Sequence, residues 1–555
     1  MPRHFVLLLS MLLLTGAQAA PRHAAGIASA HPLATRAGFE ILEAGGNAFD
    51  AAVAVSAVLA VVEPYSSGLG GGGFWLLQRA GGKAVMIDGR ETAPLAAHEK
   101  MYQNEAGEVI PNLSVNGALA AGIPGEPAAL AHIAQRYGRL PLRRSLAPAI
   151  RAAREGFAVT PHYRRMAAFR LPVLRASPAA AAVFLRENAV PPEGHVIRQP
   201  DLARTLEALA SQGAAGFYRG EVAQRLVAAS RAAGGIWTLA DLAGYRVKER
   251  QPISGRWYDY RITSAAPPSS GGIALVEMLN MLANDGLASL PGIRRKHLLI
   301  EAMRRAYRDR AEFLGDPDFV AVPQARLTGR AHARRLRARI SLTRATPSRE
   351  LAPVAPPAQG HHTTHFSILD AEGNRVAATL SINYPFGSGF VAAGTGVLLN
   401  DEMDDFSARP GVPNVYGLVG AQANAIAPGK RMLSSMSPTF VEGPDRLVIL
   451  GTPGGSRIIT MVLQGILAAS EGASAKRIVG QPRFHHQYLP DEVQFEPGAF
   501  SEEEQAGLRR LGHRLKPLRQ RYGNMQVVIL DKASGRLEAA SDPRGEGLAQ
   551  VREIK

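Results

Sequence analysis

The sequence predicts a mixed α+β globular protein, and three observations carry that prediction. Hydrophobic residues make up 46% of its 555 residues and charged residues 20%, a balance that folds and does not stay disordered. Apolar residues at helical spacing concentrate in the N-terminal part, whereas β-like runs concentrate after residue 362. The 57 Gly and 38 Pro follow no collagen-like period and mark many turns.

The elements follow in chain order. Residues 1–20 (MPRHFVLLLSMLLLTGAQAA) combine an early Arg3, an apolar run over 5–14 and the small-residue triplet Ala17-Gln18-Ala19. The run is too short to span about 30 Å of hydrocarbon, and the pattern is that of a cleaved signal peptide; an uncleaved anchor is the alternative. On the first reading the mature chain is exported, periplasmic or secreted, and has no membrane span. Helices are expected over 33–43, 51–62, 127–137, 296–313 and 457–469. The 51–62 stretch ends at Glu63-Pro64 and reads as a buried helix. Gly68–Gly73 (GLGGGG) follows this helix and precedes a strand-like FWLLQ, the reverse of the order a phosphate cradle uses. Residues 346–360 (TPSRELAPVAPPAQG), with four prolines, predict an extended or mobile linker. Strands are expected over 363–370 and 375–383, joined by the hairpin signal Ala371-Glu372-Gly373-Asn374, and later over 447–451 and 525–531.

Composition excludes several chemistries. With no Cys, disulfide scaffolds, thiolate zinc sites and cysteine nucleophiles are ruled out together. The nucleophile of any hydrolytic chemistry is then Ser, Thr, Lys, a carboxylate or a metal-bound water. The formal charge of +16 is uneven: residues 363–555 hold twenty basic and twenty acidic residues, so the excess lies before them. It is densest at 326–339 (RLTGRAHARRLRAR), where no aromatic side chain is interleaved for base stacking. A solvated Arg-rich face is expected there, not a nucleic-acid site. HExxH, GxxxxGK[ST], GxSxG and EF-hand patterns do not occur, and the pairs His361-His362 and His485-His486 lack partners at metal-ligand spacing.

The junction His362-Thr363-Thr364-His365 remains. If the peptide before Thr363 breaks, Thr363 carries both an attacking hydroxyl and a free α-amine of pKa about 7.7–8.0, a known activated-nucleophile arrangement. From spacing alone, an ordinary hairpin strand is the preferred reading of the junction.

Beyond spacing, the sequence resembles the γ-glutamyltranspeptidase, or glutathione hydrolase, family of N-terminal-nucleophile hydrolases. The resemblance runs from about His31 to Arg544 through the blocks GGNAFDAAVAV, VVEPYSSGLGGGGF, IDGRETAP, PPSSGG, TTHFSILD, LNDEMDDFSARPGVPNVYGLVG, SSMSPT, GTPGGSRIIT and PRFHHQYLPDE. It implies a four-layer αββα sandwich and autocleavage between His362 and Thr363, giving a heterodimer of a large subunit (21–362) and a small subunit (363–555). It implies Thr363 as nucleophile, with Ser381 in place of a Thr that hydrogen-bonds it, and Gly454 and Gly455 as the oxyanion hole. For the γ-glutamyl donor it implies Arg90, Ser434 and Ser435 on the α-carboxylate, and Asp405 on the α-amine, helped by Glu402 and Asn383. Tyr416 matches a lid tyrosine reaching toward Asn383, while Thr364 and His365 receive no catalytic duty. Glutathione and other γ-glutamyl compounds are the implied donors; water, amino acids or dipeptides are the acceptors. Neither metal nor organic cofactor is implied. Two rivals are a glutaryl or β-lactam acylase on the same scaffold, which could dispense with Asp405, and a non-catalytic basic exported binding protein.

Overall fold

Asn47 starts the first fully buried helix. Its side chain accepts the Phe49 and Asp50 N–H groups, and Asp50 accepts the Asn47 N–H in return. Such a cap is worth about 1 kcal/mol. The helix it opens, Ala48–Val62, is buried at every position, as its all-round apolar composition requires. The hairpin signal is equally local. Asp370 turns back to accept the N–H groups of Glu372 and Asn374, Gly373 takes φ +93°, and the strands Thr364–Leu369 and Arg375–Ser381 pair antiparallel with Thr379 opposite His365.

The computed structural model describes residues 24–351, 363–409, 411, 412, 414, 418 and 420–554. The expected leader at 1–20, residues 352–360, His361, His362 and Tyr416 lie outside the described residues.

Two antiparallel sheets face each other. The first has seven strands in the order Leu548–Glu553, Ala24–Ser29, Thr364–Leu369, Arg375–Ser381, Gly72–Gln78, Ala84–Gly89, Lys248–Arg250. The second has six, in the order Leu537–Ser541, Gln526–Asp531, Arg446–Gly451, Thr439–Glu442, Tyr260–Ser264, Ile253–Trp257. The inner faces of the two sheets touch along Thr364–Leu369, Arg375–Ser381, Arg446–Gly451 and Gln526–Asp531. Helices Pro32–Glu43, Ala48–Val62 and Glu126–Arg136 cover the outside of the first sheet, while Gly271–Leu282 and Ile458–Ser470 cover the second. The result is the four-layer αββα sandwich.

The five expected helices are present with ends shifted by at most a few residues: Pro32–Glu43, Ala48–Val62, Glu126–Arg136, Gly292–Phe313 and Ile458–Ser470. Strands do concentrate after residue 362, where twelve of the twenty described strands lie, yet each sheet interleaves strands from both sides of that position. The N-terminal strands Ala24–Ser29, Ala84–Gly89 and Tyr260–Ser264, five or six residues each, are too short to stand out by pattern. Residues 346–351 are not a mobile linker. The Thr346 N–H donates to Glu301, Ser348 Oγ donates to the Tyr488 carbonyl at 2.6 Å, and Ser348–Leu351 forms a 3-10 turn. The Arg-rich segment forms two short helices, Gln324–Leu327 and Arg330–Ala338, separated at Thr328-Gly329.

Candidate active site

The GLGGGG loop brings the two halves of the site together by close backbone approach. A Cβ on Gly70 would lie 2.0 Å from the Leu398 carbonyl oxygen, and one on Gly71 would lie 2.2 Å from that of Ser381. Only glycine therefore lets the loop pack against the strand end Ser381 and the 398–402 segment.

Thr363 precedes the central strand Thr364–Leu369 of the first sheet and is 6% exposed. It lines a cavity of about 20 Å³ with Arg90, Ser381, Asn383, Asp405, Ser434, Ser435 and Gly455. Eight of the predicted site residues thus meet at one point, although they span more than 360 positions of sequence. Gly454 adjoins Gly455, and Glu402 stands behind Asp405 on Arg90. Tyr416 lies outside the described residues, but Leu418 from the same loop lines the cavity and Asn414 Nδ2 donates to Asp405 at 3.3 Å.

Arg90 dominates the electrostatics. It is 1% exposed, and its position is set by the Met432 carbonyl on Nε at 3.3 Å, by Asp88 on its backbone N–H, and by Tyr245 on its carbonyl. Its fork closes on protein carboxylates: Nη1 on Glu402 at 2.5 Å, Nη2 on Asp405, and Nη1 on Glu91 at 3.4 Å. One guanidinium therefore faces three buried acids. Burial raises all three pKa values. Glu402 is pushed up to about 7, because burial outweighs the pull of Arg90 and, more weakly, the Ser381 hydroxyl. Glu91 is pushed well above the usual range by burial and the neighbouring Glu402. Asp405 is also raised by burial, against Arg90 and Arg310. Burial thus opposes ionisation of all three acids, and the Arg90 guanidinium favours it.

Asn383 sits in the left-handed region at φ +72°, which Asn tolerates better than most residues. Its N–H donates to Ser381 Oγ at 2.8 Å, and its Nδ2 donates to the Asp401 carbonyl at 3.0 Å. Asp401, whose pKa burial also raises strongly, accepts the Tyr384 N–H. Within the acidic run, Asp401 and Asp404 are structural, since Asp404 accepts Ser114 Oγ at 2.7 Å.

The PPSSGG block seats the serine pair. Pro268 accepts the Ser434 N–H at 2.8 Å, and the Ser434 carbonyl accepts both the N–H and the hydroxyl of Ser270, at 2.8 and 2.7 Å. Gly454 (φ +145°) and Gly455 (φ +55°) open the turn that leads into the helix Ile458–Ser470. A Cβ on Gly454 would lie 2.5 Å from Met461 Cε. Backbone N–H groups at such a helix start favour developing negative charge.

Thr364 and His365 face away from this chemistry. Thr364 donates to Glu63 at 2.7 Å. The fully buried His365 packs its ring over Gly451 and is pushed down to about 3 by burial, hence neutral. His485 and His486 are likewise held by neighbours, Thr460 and Gln487 for the first, Asp491 and the Tyr488 N–H for the second. Two clusters with metal-ligand geometry occur among the described residues, His297–Glu301–His513 and Glu277–Asp309–His332. Two of their three acids are already engaged, Glu301 by Arg304 and Arg305, and Asp309 by His332 and Arg308. Sequence reasoning missed Glu91 and Arg310. Glu91 sits next to Arg90 inside a block already quoted, and only its burial distinguishes it from a surface acid.

A family model described as gamma-glutamyltranspeptidase matches residues 34–551. The glutathione hydrolase proenzyme of Escherichia coli K12 is 42% identical over 527 residues, covering 93% of this chain and 90% of that one. The proenzyme of the same name from Pseudomonas sp. strain A14 is 43% identical over 540 residues, covering 94% and 93%. Among solved structures, a cephalosporin acylase from Bacillus halodurans superposes with a TM-score of 0.84 at 28% identity, covering 97% of this chain and 99% of that one. The γ-glutamyltranspeptidase of Helicobacter pylori superposes with a TM-score of 0.57 at 39% identity, covering 59% and 94%.

Proposed function

This chain belongs to the γ-glutamyltranspeptidase family and is an enzyme of that family, and from that premise we propose that Thr363 is its nucleophile, released as an N-terminus by a break after His362. The observation that supports this reading is the convergence of Thr363, Arg90, Asp405, Ser434, Ser435 and Gly455 on one buried cavity. In the proposed reaction the Thr363 hydroxyl attacks the γ-carbonyl of a donor such as glutathione while its own α-amine accepts the hydroxyl proton. The oxyanion is stabilised by the N–H groups of Gly454 and Gly455, each such donor lowering the barrier by about 2.7–4 kcal/mol. The amide C–N bond then breaks and the proton passes to the leaving amine, cysteinylglycine in the case of glutathione. Water, or the amine of an amino acid or dipeptide, attacks the γ-glutamyl ester and restores Thr363.

Recognition follows from the closed Arg90 clamp. In the free site Arg90 and Asp405 neutralise one another, which avoids an unpaired buried charge. A γ-glutamyl head inserts its α-carboxylate on Arg90, Ser434 and Ser435, and its α-ammonium on Asp405 and Glu402. One ion pair becomes two, and no charge is left alone. A cephalosporin-acylase reading is favoured by the superposition at TM-score 0.84, but the Asp405–Glu402 pair has no use for a donor without an α-amine.

Processing into two subunits and export belong to the same proposal. The proenzyme names of the relatives support the first, and the 1–20 pattern supports the second. No helix among the described residues is long and apolar enough to cross a membrane. The test is release of chromophore from a γ-glutamyl anilide, with and without glycylglycine, beside the glutaryl anilide that lacks the α-amine. Preference for the γ-glutamyl anilide and stimulation by glycylglycine are expected. Equal use of both anilides would install the acylase reading.

A further inference from the structure

Arg310, in the helix Gly292–Phe313, is 5% exposed and has no part in the chemistry above. Among the described residues its guanidinium has no carboxylate within ion-pair distance, whereas Arg90, equally deep, has three. Burial lowers its pKa, against the weaker pull of Tyr307 and Asp405. A buried cation without its own counterion, set beside the cavity, is an anomaly that calls for an anion.

Its hydrogen bonds show where that anion belongs. Nε–H donates to Ser270 Oγ at 3.0 Å, and the Ser270 hydroxyl passes its own proton to the Ser434 carbonyl at 2.7 Å. Nη2–H donates to Ser435 Oγ at 3.4 Å. On the neighbouring residue, the Met436 N–H donates to Ser434 Oγ at 3.1 Å. Both cavity-lining hydroxyls therefore already accept a hydrogen bond from behind. A hydroxyl has one proton to give and two lone pairs to accept with, and with one lone pair of each serine taken from behind, its proton is left for an acceptor in the cavity.

We propose that Arg310 is a positioning residue for the donor α-carboxylate: it polarises Ser435 directly and holds Ser434 through Ser270, so that the serine pair presents two O–H donors to an anion. The role rests on the reading of this cavity as a γ-glutamyl site. Arginine suits the task because its guanidinium only donates and stays charged. An Asn or Gln in its place could flip and reverse the polarity of the chain. The charge also acts at one remove on the carboxylate that enters beside Arg90.

The test compares two anilides on one protein preparation, so that the ratio does not depend on the folded fraction. γ-Glutamyl-p-nitroanilide carries the α-carboxylate; 4-aminobutyryl-p-nitroanilide is the same donor without it. Arg310→Gln should lower kcat/KM for the γ-glutamyl anilide by about tenfold or more, mainly through KM. The same variant should change the 4-aminobutyryl anilide by less than twofold. Arg310→Lys should recover part of the loss, since the charge returns without the fork, and Ser435→Ala should add little to Arg310→Gln. Equal losses on both anilides, or independent losses in the double variant, would overturn the role of Arg310 alone. A wild type indifferent to the α-carboxylate would overturn the donor reading beneath it.

Discussion

Two buried ionic clusters in this molecule are built on opposite plans. Arg483 and Arg544 meet two acids, Asp542 and Glu496, in a balanced group. Arg544 bonds Glu496 through Nε at 3.0 Å and Nη2 at 2.6 Å, and its Nη1 reaches Asp542 at 2.9 Å. The carbonyls of Val479, Gln481 and Tyr522 take further N–H groups of the two arginines. Around Arg90 one cation faces Glu91, Glu402 and Asp405, and Glu91 Oε1 has no hydrogen-bond partner among the described residues. The balanced cluster closes a fold; the unbalanced one is left with acids to spare for a cationic group from outside. Burial alone is thus a poor guide to function. The mismatch between charges is the better one.

The largest effect expected concerns Thr363, the proposed nucleophile beside the unbalanced cluster. Thr363→Ala should leave one uncut, inactive chain, while purified wild type should run as two chains, the smaller beginning Thr-Thr-His-Phe on N-terminal sequencing. An active, uncut wild type would remove Thr363 from its role.

Matched Asp→Asn changes probe the comparison itself. Asp542→Asn breaks a balanced buried pair and should destabilise the protein by about 3–5 kcal/mol in denaturant unfolding, with donor KM unchanged. Asp405→Asn removes one acid of three, so stability should move little. Donor kcat/KM should nevertheless fall by about tenfold to over a hundredfold, as the loss of a charge-assisted hydrogen bond worth about 1.5–3 kcal/mol implies. If both changes destabilise alike and neither affects KM, the contrast between the clusters has no functional content.

Glu402 sharpens the contrast through pH. Its pKa is raised from an ordinary 4.5 to about 7, so it favours the folded state fully below about 4.5 and loses that contribution as pH rises through about 7. Donor binding should move the other way, because the α-ammonium is best met by the Glu402 anion: KM should fall as pH rises through the same range. Asp405, Glu91 and Arg90 face Glu402 and set this midpoint together. Glu402→Gln should remove the acidic limb from both profiles, leaving the titration of the Thr363 α-amine near 7.7–8.0.

The smallest effect is expected on the surface. Changing Arg334, Arg335, Arg337 and Arg339 to Gln breaks the Arg337–Asp285 pair, a partly exposed contact worth about 0.2–1 kcal/mol. Donor hydrolysis should barely change, and adsorption to heparin or DNA should be weak and steeply salt-dependent. Submicromolar DNA binding at physiological salt would give this face a partner.

The sequence by itself determined what is decided within a few residues or within a contiguous motif. The Asn47 cap, the 371–374 hairpin and the largely apolar helix Ala48–Val62 each depend on near neighbours, whereas the need for glycine at 70 and 71 is set by Leu398 and Ser381, more than 300 positions away. The candidate site residues were named from motif blocks, one block at a time. Tertiary structure decided how the blocks act on one another. It placed strands from both sides of residue 362 in the same sheets, because sheet order depends on which edges remain open after collapse. It brought Arg90 onto Glu402 and Asp405, more than 300 positions away, raised Glu91 and Glu402 by removing them from water, and set Arg310 behind Ser435. Those are effects of burial and of charge acting through space. Neither has a signature along the chain, since an Arg or Glu is the same letter whether it faces solvent or a cavity.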